Sequence, residues 1–393
     1  MIFKKNSFPL LLLFCSLIIF FEFTKIPKYL FFDEVEFARL ALSLNTIPYT
    51  PYSELATGHA TLYFYVILIF FKVLGISTFA LRLPAAVFGV LCALIFYLII
   101  QRIFHKPYFL ALILFFVFVT QRWFFNFARF SFETTFLLFL ELTSLYFFFL
   151  FKEKKKLIYI ILCGLFAGLA FHSYYPGRIF FLLPLVFLII EQRKYILSYL
   201  FIFLLVSSPL IIYLLGHPDK RLDQQLYLKH PKLTVVQKAG LTIENISKTA
   251  LMFSFKGDMN GRHNYTGKPA LNPIIGVFFI LGIIVTISNR KNFYNQFFLG
   301  YFVISIIPAL LTFPSENPNM LRTYTVIPSI IYFIGNAVSY LLKIKRNHLV
   351  KILILLFVIS AIYEIRTYFM FQSLVFEDDA FKVKKPLEKV VKF

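Results

Sequence analysis

The sequence has no long polar stretch, few acidic residues and only three cysteines. Its longest mainly polar segment covers residues 216–272, at the lower limit of domain size, which argues against a separable soluble domain. The cysteines lie in apolar segments at spacings that no metal site uses, so we interpret Cys15, Cys92 and Cys163 as packing residues. We find no internal repeat and no low-complexity linker.

Apolar and aromatic side chains are present in excess. Of 393 residues, 59% are hydrophobic and 20% aromatic, whereas a soluble domain averages about 45–50% apolar residues. The excess is arranged in runs of about 15–22 residues with almost no charge, which is the length that crosses a bilayer core. The composition therefore predicts an all-α polytopic membrane protein, embedded in the lipid bilayer.

The positive charge lies between the apolar runs. The first run follows Lys4 and Lys5 but is not followed by a small-x-small cleavage site, so we expect a retained first helix rather than a signal peptide. The net charge of +21 comes from short basic clusters. Such clusters are typical of cytoplasmic loops, and they argue against a nucleic-acid partner.

Placing all the basic clusters in the cytoplasm predicts a topology. The clusters are Lys4-Lys5, 101–106, 151–156, 191–194, 289–291 and 343–348. This topology has eleven expected membrane spans, at 8–24, 82–101, 107–128, 132–151, 157–172, 178–190, 195–215, 273–288, 293–313, 323–342 and 349–370. We expect one transmembrane domain over 1–393. Its outer loops would be 25–81, 129–133, 172–178, 216–272 and 314–322, with an outer C-terminal tail at 371–393.

One apolar run, 61–75, does not fit this topology. Counting it as a span would put one of its two neighbouring basic clusters on the wrong face, and it is short for a span. We interpret it as a juxtamembrane helix in the outer interface, with its tyrosines and Lys72 at headgroup level. The alternative is a short true span.

Three carboxylates, Asp33, Glu34 and Glu36, follow the first apolar run. Asp33 and Glu36 have the spacing of a capping box, which would begin a juxtamembrane helix with Asp33 as its cap. Capping does not account for Glu34. Placing a carboxylate beside a membrane costs free energy, which is expected only where the group has a function. A helix cap and an active site are therefore both open interpretations.

Several motifs occur in an order that resembles a known family. They are Asp33-Glu34, "HATLYFY" (59–65), "LGISTFALRLP" (74–84), Ala128-Arg129 with Glu133, and the segment 252–276. The order resembles the GT-C superfamily of polyprenyl-phosphate-sugar glycosyltransferases. The most similar branch is the family 39 type, which includes protein O-mannosyltransferases and aminoarabinose transferases. Two departures are Ala60-Thr61 in place of two prolines, and Glu133 where relatives often carry aspartate.

The resemblance implies a GT-C-type helix bundle and an inverting glycosyltransferase. Such an enzyme moves a hexosyl or pentosyl group from a polyprenyl phosphate to a hydroxyl of a protein, lipid or glycan acceptor. It would be a multi-pass plasma-membrane enzyme of the cell envelope, with its active site on the extracytoplasmic face. The alternatives are a transporter or lipid-linked-glycan flippase, and a ligase or polymerase that uses diphosphate-linked donors. A transporter should concentrate polar groups near the midplane, whereas the acids here lie mainly at one face.

Candidate residues follow from the chemistry and the resemblance. Asp33 is the candidate base, Glu34 would orient the acceptor or ligate an ion, and Glu133 would face Asp33 across the site. Basic residues would bind the donor phosphate, with headgroup contact as the alternative. These residues are His59, Arg129, Arg178, Arg262, His263 and Arg322. Candidates for the sugar or acceptor pocket are Tyr174, Tyr175 and Lys268.

Two further features leave alternatives open. A divalent cation, Mg²⁺ or Mn²⁺, is possible, but acids without histidine or cysteine indicate one only weakly, and no other cofactor is expected. Glu141 and Glu364 lie inside expected spans, where acids often mark ion paths. Because Glu141 lies eight residues after Glu133 on the same helix face, it would alternatively support the site from below.

Overall fold

The computed structural model of the chain describes residues 7–344, 347–378 and 380–391, and over these it is a bundle of helices. The helices are α1 (Ser7–Phe20), α2 (Phe32–Ser43), α3 (Leu62–Leu74), α4 (Thr78–Ile103), α5 (Tyr108–Thr120), α6 (Arg122–Phe127), α7 (Thr134–Lys154), α8 (Leu157–Phe171), α9 (Leu182–Glu191), α10 (Ile196–Gly216), α11 (Lys220–Gln225), α12 (Val235–Ser254), α13 (Pro273–Ser288), α14 (Phe293–Leu310), α15 (Ile327–Leu342), α16 (Asn347–Arg366), α17 (Ser373–Asp378) and α18 (Leu387–Val390). Four two-residue strands are β1 (Leu30–Phe31), β2 (Tyr52–Ser53), β3 (His59–Ala60) and β4 (Lys382–Val383). The predicted all-α fold class is confirmed.

Every expected span coincides with a helix in the structure. Among the described residues, six helical segments are long and apolar enough to cross a membrane, and five further apolar helices are shorter. The expected span 107–128 is interrupted, because Gln121 is extended (φ −67°, ψ 121°) and separates α5 from α6. The expected span 178–190 is a 3₁₀ turn followed by the ten-residue α9. The number of membrane crossings stays a prediction.

Ion pairs join the ends of three helices that carry basic clusters. Arg102 at the end of α4 lies 2.5 Å from Glu153 at the end of α7, and Lys152 lies 2.8 Å from Glu191 at the end of α9. The clusters 101–106, 151–156 and 191–194 therefore share one face of the bundle. Lys4, Lys5 and residues 345–346 of the other predicted clusters lie outside the described residues.

Helix α3 begins and ends on the opposite face. It starts just after His59, and three residues join its end to the start of α4. Near the start of α4, Arg82 bonds to Glu34 of α2. At 13 residues it is about 20 Å long, against about 30 Å for a bilayer core. These contacts support the prediction that 61–75 does not cross.

The close packing of α13 on α15 depends on glycine. Helices α13 and α15 meet where Gly282 faces the Phe333 backbone, and a Cβ at this glycine would lie 2.1 Å from the Phe333 carbonyl oxygen. No larger residue fits without moving a helix. Gly282 is an example of the small residues that membrane helices place at their interfaces.

The C-terminal tail packs against α2, on the same face as α3. Strand β4 pairs antiparallel with β1, so that Val383 lies opposite Leu30. The Phe32 amide donates to the Phe381 carbonyl at 2.9 Å, and Arg39 donates to the Val390 carbonyl at 3.1 Å. The tail therefore forms part of the wall around the start of α2.

Candidate active site

The start of α2 separates its three acids. The helix begins at Phe32, and Asp33 and Glu36 both line a cavity. Glu34 is fully buried instead, and both of its oxygens accept hydrogen bonds from Arg82, each at 2.8 Å. It also accepts from the Phe31 amide at 3.2 Å. The interpretation of Asp33 and Glu36 as a capping box was therefore wrong, because Phe31, not Asp33, is the cap position, and Glu34, not Glu36, accepts from its amide.

Glu34 is a structural group in this geometry. Besides Glu34, Arg82 reaches the carbonyl oxygens of Pro27 and Tyr29, at 2.7 and 2.9 Å. The Ser131 amide also donates to Glu34, at 3.3 Å. A buried carboxylate with so many partners has no free position for an acceptor or an ion, and it joins α2 to α4. The position of Glu34 does not fit the catalytic role predicted for it.

The cavity brings together residues from five distant segments. It has a volume of about 210 Å³ and opens at the face that carries α2 and the C-terminal tail. Its polar lining comes from the start of α2, the loop before α3, the start of α7, the turn after α8, and α11. The lining side chains able to carry charge or hydrogen bonds are Asp33, Glu36, Thr57, His59, Glu133, Thr134, Tyr174 and Arg221.

His59 and Glu133 form a buried pair on one wall. Their side chains approach to 2.7 Å, and both are almost fully buried. The other ring nitrogen of His59 lies 2.9 Å from the Ala56 carbonyl. Burial opposes ionisation of Glu133, but the nearby charges of His59 and Arg221 outweigh it and lower the pKa of this carboxyl. Glu133 is therefore an anion that fixes the imidazole at the cavity edge.

Arg221 is a cavity residue that the sequence analysis missed. It lies on the short helix α11, donates to the Gly58 carbonyl at 3.2 Å, and lies 2.8 Å from His59 Nε2. The Tyr175 ring lies 5.7 Å from its guanidinium carbon. The sequence signal was "HPDKR" (217–221), because Asp219 is a good N-cap for a short helix that carries two cations.

Asp219 holds this corner of the cavity together. It caps α11 by accepting from the Leu222 amide at 3.1 Å, and it also accepts from Tyr52 at 3.0 Å and Arg178 at 2.8 Å. Partial burial opposes its ionisation, but the bonds and charge of Arg178 lower the pKa of Asp219. Arg178 is thus already paired with Asp219, the residue that caps the helix carrying Arg221.

Arg262, on the long loop 216–272, does not line the cavity itself but contacts Asp33, which does. Its guanidinium pairs with Asp33, and Asn260 accepts from its amide at 3.0 Å and from its Nε at 3.2 Å. Phe381 of the tail lies against the guanidinium at 5.4 Å. Arg262 is partly buried, whereas 38% of the Asp33 side chain is exposed. The loop therefore places a cation beside the candidate base.

The remaining predicted tyrosines and histidine take different positions. Tyr174 lines the cavity, and Tyr175 packs behind it with ring centroids 4.6 Å apart. His263, next to Arg262, does not line the cavity. It pairs with Asp258 at 2.8 Å inside the loop. Asp258 also accepts from the Met320 amide at 2.8 Å, so this pair anchors the loop.

Arg129 does not reach the cavity. It is fully buried and donates to four backbone carbonyls at and beyond the end of α1, at 2.6–3.2 Å. Its Nε donates to the Tyr368 hydroxyl at 3.1 Å. All of its nitrogens have partners, so its position does not fit the predicted phosphate-binding role. It supplies donors to the carbonyls that a helix end leaves unpaired.

Arg322 and Lys268 also have partners away from the cavity. Arg322 donates to Glu316 at 2.9 Å and to Thr312 at 3.1 Å. Lys268 donates to Thr367 at 3.1 Å, where it meets the C-terminal helices. Neither side chain lines the cavity.

The two acids within the bundle are paired as well. Glu141 accepts from the Tyr301 hydroxyl at 2.7 Å, and Glu364 lies 3.2 Å from Arg122. Asn272 donates to Glu364 at 2.9 Å. The bond between Asn272 and Glu364 connects the end of the long loop to α16.

The cavity acids do not form a site for a divalent cation. Within 7–344, 347–378 and 380–391, no group of three or more histidine, cysteine or acidic residues is close enough to hold a metal. Each cavity acid already has a basic partner, namely Arg262 for Asp33, Arg39 for Glu36 and His59 for Glu133. The arrangement does not fit Mg²⁺ or Mn²⁺, which prefer several free oxygen ligands.

Comparison with protein families agrees with the motif order. Residues 58–215, less than half of the chain, match the family model described as dolichyl-phosphate-mannose-protein mannosyltransferase. No curated protein matches the chain in sequence. The matched region contains His59, Glu133 and Tyr174 of the cavity, whereas Asp33 and Arg221 lie outside it.

Solved structures share the fold. A crystal structure of ArnT from Cupriavidus metallidurans bound to undecaprenyl phosphate has a TM-score of 0.57 at 13% identity, covering 95% of this chain and 76% of that one. The archaeal oligosaccharyltransferase AglB from Archaeoglobus fulgidus, in complex with an inhibitory peptide and a dolichol-phosphate, has a TM-score of 0.60 at 15% identity. That match covers 98% of this chain but only 57% of AglB. The predicted GT-C resemblance and the membrane helix-bundle fold are confirmed.

Proposed function

We propose that this chain, which has the fold of GT-C glycosyltransferases, transfers a sugar from a polyprenyl phosphate to an acceptor hydroxyl. The single observation that carries the proposal is the cavity at one face of the bundle. There a partly exposed carboxylate, Asp33, lines the cavity together with His59 and Arg221, and it pairs with Arg262. A base and a set of cations on one small cavity are what this reaction requires.

In the proposed reaction the acceptor oxygen attacks the anomeric carbon of the sugar. Asp33 takes the hydroxyl proton as the new C–O bond forms, and the bond from the anomeric carbon to the phosphate oxygen breaks. The electron pair leaves with the polyprenyl phosphate, whose added negative charge Arg262, Arg221 and His59 stabilise. A single displacement of this kind inverts the anomeric configuration.

Glu133 acts through His59 in this proposal. Glu133 lies 2.7 Å from the imidazole and holds it at the cavity edge, beside Arg221. Glu34 and Arg129 are positioning residues, since Glu34 fixes the start of α2 and Arg129 fixes the end of α1. The active site would face the outside of the plasma membrane, because the three paired basic clusters lie at the opposite face.

The proposal is tested by donor and acceptor screening with the purified chain. Defined polyprenyl-monophosphate sugars and a mixture of protein, lipid and glycan acceptors are supplied, and products are identified by mass spectrometry. We expect transfer from at least one monophosphate donor, with the opposite anomeric configuration in the product by NMR. Transfer only from diphosphate-linked donors would indicate a ligase. Lipid movement across proteoliposomes without transfer would indicate a flippase.

A further inference from the structure

A second cavity lies at the opposite end of the bundle from the candidate active site. It has a volume of about 670 Å³ and is enclosed by the ends of α4, α13, α14 and α15. Helix α4 relates the two sites, because Arg82 near its start bonds beside the active site and Ile103 at its end lines the second cavity. The volume is within the range of roughly 300–1,000 Å³ for small-molecule sites.

Three cations without ion pairs line this second cavity. They are Arg290, Lys291 and Lys343, all exposed, and none pairs with an acid among the described residues. No aspartate or glutamate occurs among the described residues that line it. On the same face, by contrast, Arg102 and Lys152 are each paired with a glutamate. Unneutralised positive charge in a concave site concentrates anions.

The wall behind the cations is a fixed polar network. Asn295, which is buried, accepts from the Tyr332 hydroxyl at 2.5 Å and from the Asn336 amide at 2.9 Å. Asn336 also donates to Thr286 at 2.9 Å, and Asn295 donates to the Asn289 carbonyl at 2.9 Å. These bonds cross between α13, α14 and α15, so the shape of the cavity is set before any ligand enters.

From these observations we infer that the second cavity binds the phosphate headgroup of an anionic phospholipid. Cations at the rim neutralise the phosphate, and the polar wall meets its ester and glycerol oxygens. Ile103, Phe104 and Val285 continue the wall as apolar surface, and Tyr340 is half exposed at the rim. An apolar continuation with an interfacial tyrosine fits a lipid better than a free phosphate ester. This inference does not depend on the proposed enzymatic function.

The test measures lipid binding to the full chain purified in detergent. Cardiolipin is titrated and followed by native mass spectrometry, with phosphatidylcholine as the neutral lipid and inorganic phosphate as the soluble anion. We expect cardiolipin to bind and phosphatidylcholine not to bind. The triple variant Arg290→Ala, Lys291→Ala, Lys343→Ala should weaken binding about 100-fold, at about fivefold for each cation removed.

A matched control separates the cavity from the general charge of this face. The triple variant Lys154→Ala, Lys156→Ala, Arg193→Ala removes equal charge from exposed residues that do not line the cavity, and it should bind cardiolipin like the unchanged chain. Ser339→Phe narrows the cavity without changing charge and should weaken binding. Equal losses in the two triple variants, or full binding by Ser339→Phe, would overturn the inference. Saturable binding of inorganic phosphate without cardiolipin would likewise overturn the lipid assignment.

Discussion

Replacing Asp33 by asparagine separates catalysis from structure. Asparagine keeps the shape of the side chain and its ability to accept a hydrogen bond, but it takes no proton from the acceptor hydroxyl. Loss of a general base typically lowers the rate by about 10²–10⁴-fold. This corresponds to about 3–5 kcal/mol of lost transition-state stabilisation. We therefore expect kcat to fall by at least about 100-fold.

The structural consequence of the same change is small. Asp33 loses its ion pair with Arg262, but 38% of its side chain is exposed, and pairs in such positions contribute about 0–1 kcal/mol. Asp33 does not cap α2, because Phe31 and Glu34 form that end. The folded chain should therefore survive the change, and its melting temperature should barely move.

The assay compares this variant with a matched control. Asp223 is also a partly exposed aspartate at the same face, with 44% of its side chain exposed and Lys229 at 2.5 Å. Asp223→Asn thus breaks an ion pair of the same kind away from the cavity. Single-turnover transfer from a labelled donor should be normal in Asp223→Asn and nearly absent in Asp33→Asn. The two variants should have similar melting temperatures.

One result would refute the reasoning. If Asp33→Asn elutes as a well-folded protein and transfers sugar within about threefold of the unchanged chain, Asp33 is not the base. Normal donor binding with absent transfer would support the assignment, since the cations remain in place.

Further predictions concern the cations, the buried pair and the topology. Arg262→Ala should raise the apparent donor KM strongly, and Arg221→Ala should do the same, because each removes charge that faces the leaving phosphate; unchanged kinetics would remove that residue from the site. Glu34→Gln should destabilise the protein by about 3–5 kcal/mol, because Arg82 is left as an uncompensated buried charge; a normal melting temperature together with lost transfer would instead support a catalytic Glu34. In single-cysteine variants, Thr78→Cys should react with an impermeant thiol reagent from outside and His105→Cys only from inside. The native cysteines are buried and should not react with the reagent. The reverse labelling at either position would refute the topology.

Hydrophobic length predicted the helices well, because each long apolar run must satisfy its backbone internally within a bilayer. The positions at which helices are interrupted were harder to predict from the sequence. Helix α5 ends at Thr120, and after the extended Gln121 the chain turns Arg122 into the protein to meet Glu364, which is distant in sequence. Local composition carries no sign of such a partner.

The capping prediction failed for a similar reason. The spacing of Asp33 and Glu36 matches a capping box, but Phe31 is extended because it belongs to β1, which pairs with Lys382 and Val383 of the tail. The helix therefore begins earlier than the motif indicates. A tertiary contact overrode a local rule.

Site residues were predicted in part. Asp33, His59, Glu133 and Tyr174 line one cavity, as the motif order implied. Arginines at helix ends all looked alike in the sequence. Only the structure distinguishes Arg129, buried against backbone carbonyls, from residues that face the cavity.

The pairing of the tail with α2 also sets an order of events during synthesis. Arg39 and its partner Val390 are 351 residues apart, and Asp33 and Arg262 are 229 apart. The first outer loop thus obtains these neighbours only after residue 390 has been translated. Contacts of such long range form slowly, because a very large loop must close first. The start of α2 therefore reaches its final surroundings late, after the helices between these contacts have been made.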